Sequence, residues 1–186
     1  MGLRENEIIM CNEIIQQKIN FDVNIEKPAV TMRIGNAEFQ FWPRYGHAIN
    51  DLIDAAYYLK YKPQEGDNYY QFNCDDIWIS FVKDEDDLHI VVQREAGINA
   101  QLVDGDIMIM DVHTTYSDFC HSIVNAVMNV LSKYGISGYR KNCDDCGYKF
   151  PIVEFLSLLG AKTEKDNGIY KSNLLDELGL LMNYKY

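Results

Sequence analysis

The segment spanning residues 114–135, TTYSDFCHSIVNAVMNVLSKYG, cannot fold alone. Phe119, Ile123, Val127, Val130 and Tyr134 recur three or four positions apart, and Cys120, Val124 and Leu131 widen this stripe into a broad apolar face. The spacing predicts a helix buried along one side. Its ends are specified chemically: Thr115 can cap the N-terminus, with Asp118 near the positive end of the helix dipole. Lys133 stands in the last turn, and Gly135 can take a left-handed stop position. Such a helix needs a surface to cover, and the preceding sequence supplies strands.

Val30, Met32 and Ile34 alternate with Thr31 and Arg33, Gly35-Asn36 forms a turn, and Phe39 and Phe41 continue the alternation, which predicts a hairpin. A second hairpin is expected where Ile77, Ile79 and Phe81 are followed by Leu88, Ile90 and Val92, with an anionic tip at Asp84, Glu85, Asp86 and Asp87. Asp104-Gly105 suits a tight turn between 100–103 and 106–112, and the run IMIMDV, apolar on both faces, reads as a central strand. Helical spacing is expected over 4–19 (Ile8, Cys11, Ile15, Ile19) and 43–62 (Ile49, Leu52, Ile53, Ala56, Leu59). Two short helices should follow, one opened by Pro151 and ended by Gly160, the other capped by Ser172. Residues 21–27, 61–72 and 136–149 read as irregular connections or short ribbon. The predicted fold is one α+β domain over residues 1–186, an antiparallel sheet of hairpins and meander with helices packed mainly on one face.

Composition narrows the function. With 186 residues, 47% hydrophobic and 24% charged, the chain can bury one good core. A formal net charge of −11 argues against a nucleic-acid or anionic-membrane partner and favours a basic protein. MGLRENEIIM has neither the basic flank nor the apolar core of a signal peptide, and no stretch has membrane-spanning length. Five cysteines without a dense framework fit a reducing cytoplasm.

Catalytic and metal motifs are absent. Cys143-Asp144-Asp145-Cys146 lacks the two further ligands of a zinc site, and its aspartates oppose thiolate formation, so it reads as a turn holding two reduced thiols. The tip at 84–87 lacks the glycine and terminal Glu of a calcium loop. There is no nucleophile elbow and no phosphate-binding glycine loop, and no cofactor is expected. His113 beside Asp111 could form an acid–base pair if a pocket exists there, which defines the alternative reading as a small enzyme or ligand-binding domain. For partner binding, the candidate residues are the turn acids Asp84, Glu85, Asp86, Asp87, Asp104 and Asp106, with Tyr58, Tyr61, Tyr69 and Tyr70 as aromatic anchors.

A strand of the type DIWISF, a long helix running into YGISGY, and then KFP give the pattern over 32–160 a resemblance to the immunity proteins of bacterial polymorphic-toxin and contact-dependent growth-inhibition systems. The resemblance implies a non-enzymatic cytoplasmic protein that binds and neutralises a cognate toxin C-terminal domain, often a nuclease. It assigns no individual residue a role.

Overall fold

The computed structural model describes residues 16–24, 29–42, 48–61, 68–74, 77–94, 107–143 and 150–185, with backbone alone at positions 107, 140, 142 and 143. The described residues form antiparallel sheets and four helices, an α+β fold. Strands β1 (Ile19–Asn24), β2 (Ala29–Ile34) and β3 (Ala37–Phe41) form the first sheet in that order. The β2–β3 hairpin turns at Gly35-Asn36 as expected, with Gly35 at φ 55°. β1 corrects the expected helix over 4–19 at its far end. Ile19 and Phe21 are buried and alternate with exposed Asn20 and Asp22, a two-residue period satisfied by pairing with β2. The rest of that helix, up to residue 15, lies outside the described residues.

Helix α1 (Ala48–Tyr61) buries the whole expected stripe, Ile49, Leu52, Ile53, Ala56 and Leu59. The second sheet has the order β4 (Tyr69–Cys74), β5 (Ile77–Asp84), β6 (Asp87–Arg94), β7 (Ile107–Thr115). β4 replaces part of an expected connection, since Tyr70 and Phe72 turn inward to pair with Phe81 and Ile79. The β5–β6 hairpin closes through Glu85 and Asp86, with Glu85 at φ 52°. β7 lies at an edge of this sheet and is not central: Met110 faces the core, whereas Met108 and Ile109 are 50% and 38% exposed. A bulge opposite Val92 and Gln93 puts Ile109 out of register there. The turn at Asp104-Gly105 lies outside the described residues.

Helix α2 (Tyr116–Cys143) begins where expected, the Asp118 N–H donating to Thr115 Oγ1 at 2.9 Å. Phe119, Ile123, Val127 and Val130 are buried along its length. Gly135 kinks it without ending it. At φ 67° and ψ 169° this residue adopts a conformation reserved for glycine, and the chain then resumes its helix to Cys143. The continuation is held by Tyr139, buried and donating its hydroxyl to Asn50 Oδ1 at 2.9 Å.

The remaining elements are α3 (Ile152–Leu158), β8 (Glu164–Asp166), β9 (Ile169–Lys171) and α4 (Leu174–Met182). Gly160 at φ 96° ends α3 as expected. The cap of α4 is Asn173, not Ser172, because its side chain reaches the Leu175 and Asp176 N–H groups.

Both larger sheets share one core through a run of rings. Phe119 of α2 lies 5.8 Å from Phe21 in the first sheet and 5.2 Å from Phe81 in the second, and Phe72 lies 6.1 Å from Phe41 and 5.9 Å from Phe81. Each buried ring contributes about 2–3 kcal/mol of burial free energy, so this run ties the two sheets to α2.

Candidate functional site

Strand alternation divides the second sheet into two sides. Phe72, Ile79, Phe81, Leu88, Ile90, Val92 and Met110 point toward the helices and are buried. On the other side Tyr69, Val82, His89 and His113 form one row across the four strands, and Gln71, Ser80, Val91 and Asp111 form the next. Most of this second side stays half-buried or exposed, Tyr69 at 46%, although Ser80 is covered.

At its β6–β7 end lie two interlocked histidine–carboxylate pairs. His89 Nε2 is 2.6 Å from Asp111 Oδ1, and His113 Nδ1 is 2.9 Å from Asp87 Oδ2. The two imidazoles face each other directly in register and stack, centroids 4.4 Å apart and planes within 5°. Asp87 also accepts from Gln16 Nε2 at 3.2 Å, and the Gln17 N–H donates to the His113 carbonyl at 2.9 Å, so the residues leading into β1 clip the outer edge of β7. Sequence adjacency had paired His113 with Asp111. Neighbours along a strand point to opposite sides only when adjacent, and residues two apart share a side, but the cross-strand diagonals are nearer to these rings.

The acidic tip is divided in role. The Asp84 and Glu85 side chains are exposed and make no hydrogen bond or ion pair among the described residues, although the Asp84 backbone pairs with Asp87. Asp86 closes the first turn of α2: its carbonyl accepts the Tyr116 N–H at 2.7 Å, and Oδ1 accepts both the N–H and hydroxyl of Ser117, at 3.0 and 2.8 Å. Asp87 belongs to the histidine pairs. Asp104 and Asp106 lie outside the described residues.

The tyrosines are also separated. Tyr69 shares the open side with His89 and His113, its hydroxyl 3.4 Å from Ser80 Oγ. Tyr70 faces the helices and packs on Tyr58, centroids 5.3 Å apart. Burial, reinforced by Asp54, Asp51 and Tyr58, pushes its hydroxyl up to about 12. Tyr61, at the end of α1, donates to the Ser157 carbonyl at 3.3 Å. Trp78, half-buried on the open side, was not singled out from the sequence, although its place in an alternating strand opposite Ile77 and Ile79 was the available signal.

Two grooves formed by the described residues have linings that include neither His113 nor Asp111. One, of about 890 Å³, runs between α2 and α4 past Cys120, Val124, Leu180 and Tyr184. Burial pushes the Cys120 thiol there up to about 11, which makes it a poor nucleophile. The other, of about 450 Å³, lies between β1 and α2. The Cys143 side chain and residues 144–146 are outside the described residues. Among the described residues no cluster of histidine, cysteine and carboxylate is arranged to hold a metal ion, and no helix is long and apolar enough to cross a membrane.

No protein-family model, curated protein or solved structure matches this chain.

Proposed function

We propose that the chain is an immunity protein of the toxin-neutralising kind, which captures a basic toxin domain on the open side of its second sheet and covers that domain's active surface. The observation that carries this reading is one accessible sheet side with exposed carboxylates at the β5–β6 turn, Asp84 and Glu85, and on β7, Asp111, and with the ring of Tyr69 on β4 at the other edge. Opposite potentials raise the rate of encounter, and rigid aromatic side chains supply the contacts that hold once water is expelled. The chain's net charge of −11 acts in the same direction. The cytoplasm is the compartment in which such a protein would meet its toxin. The test is co-expression with the protein domain encoded immediately upstream: a tagged form of this chain should retain that domain through a salt wash and suppress its toxicity.

A second reading, a small enzyme or ligand-binding domain working at His113, draws on the two carboxylate-held imidazoles. It predicts a turnover or ligand affinity that His113→Gln abolishes while leaving capture of the upstream domain unchanged.

A further inference from the structure

Helix α4 presents an apolar face to solvent. Leu174, Leu175, Leu178 and Met182 are 66%, 76%, 43% and 82% exposed, and they share an arc of about 100° on the helix. The arc lies beside the turn of Leu181 and Tyr184, which rest on the core. Ile169 and Tyr170 of the β8–β9 hairpin, 64% and 68% exposed, point to opposite sides of that hairpin, so the continuous apolar stripe is that of α4 itself. The four α4 side chains expose on the order of 500 Å² per copy, so a two-fold contact would bury about 1,000 Å² in total, the size of a weak, concentration-dependent interface.

Charge indicates what covers it. Residues 161–186 hold four lysines and four carboxylates, so the whole formal −11 lies in residues 1–160. Lys171 and Asp166 also pair with each other at 2.9 Å across the hairpin. A basic partner finds no field to attract it here. A second copy of this acidic chain finds the region where the mutual repulsion of two copies is weakest. Leu175, Leu178 and Met182 have the three–four spacing with which helices pack side by side, and a two-fold axis would bring each stripe onto its equivalent.

We infer that the chain forms a homodimer through the α4 face, leaving the open side of the second sheet free on both subunits. The inference does not depend on the proposed function. Sedimentation velocity of the full chain over roughly 1–300 μM tests it. The wild type should approach twice the 21.5 kDa chain mass, and added salt should hold or tighten the dimer by screening like charges. Leu175→Glu with Met182→Glu alters two side chains already in water, so the melt should not change while dimerisation weakens more than about tenfold. Asp84→Asn with Glu85→Gln should leave it within about twofold. A wild type that stays monomeric throughout the range overturns the inference, as does a dimer indifferent to the α4 substitutions or one dissolved by salt. Monomers that use this face to bind neutral lipid vesicles or the upstream domain would also overturn it.

Discussion

The imidazoles of His89 and His113 lie parallel across β6 and β7, 4.4 Å apart, each held by a carboxylate from the opposite strand. Their side chains are about a third exposed, so each pair is worth little individually. A double-mutant cycle on Asp87→Asn and His113→Gln at low ionic strength should give a coupling of roughly 0.5–1 kcal/mol. Zero coupling at low salt would mean that the diagonal pairing does not persist in solution.

Three neighbouring acids should behave differently on substitution. Asp86→Ala removes the acceptor for two Ser117 donors and should cost about 1 kcal/mol of stability, as loss of a helix cap does. Asp84→Asn and Glu85→Gln should each change stability by less than about 0.5 kcal/mol. Denaturant melts of the three variants separate the cap from the free charges. Equal melts would remove the structural role given to Asp86.

The hairpins and the helix start were legible because they depend on local periods: alternation for β2–β3 and β5–β6, and Thr115 with a 3.6-residue stripe for α2. What was missed depends on partners distant in sequence. β1 reads as the tail of a helix until β2 lies beside it, and β7 reads as central although the bulge at Ile109 and its edge position leave Met108 in water. The histidine pairs follow from a register that no local pattern encodes. The β8–β9 hairpin is a different kind of miss, since Asn167-Gly168, both at positive φ, is a strong local turn signal that was overlooked.

Asp51 and Asp54 lie one turn apart on α1. Burial, with Asp54 adding, pushes Asp51 from the usual 3.8 up to about 7, and burial, with Glu154 adding, pushes Asp54 to about 6. The folded protein therefore holds these protons more tightly than the unfolded chain, and stability falls as pH rises from about 4 through 7. Asp51→Asn should stabilise by about 1–2 kcal/mol near pH 8 and by almost nothing near pH 4. Urea titrations at the two pH values check the sign, and a larger gain in acid would contradict it.

Val127 is 1% exposed at the centre of α2. Val127→Asp places an unpaired carboxylate in the shared core at a cost of several kcal/mol, against a total stability of about 5–15. The variant should show no cooperative melt. A transition near that of the wild type would mean the helix is not buried as described.

The central claim is that the open acidic side of the second sheet captures a basic protein domain, and stopped-flow association with the upstream-encoded domain tests it most directly. Asp84→Asn, Glu85→Gln and Asp111→Asn combined should slow association several-fold at low salt and flatten its dependence on ionic strength, while Tyr69→Ala should mainly speed dissociation. Association at the wild-type rate across the whole salt series would contradict the claim and leave the net charge without a part in recognition.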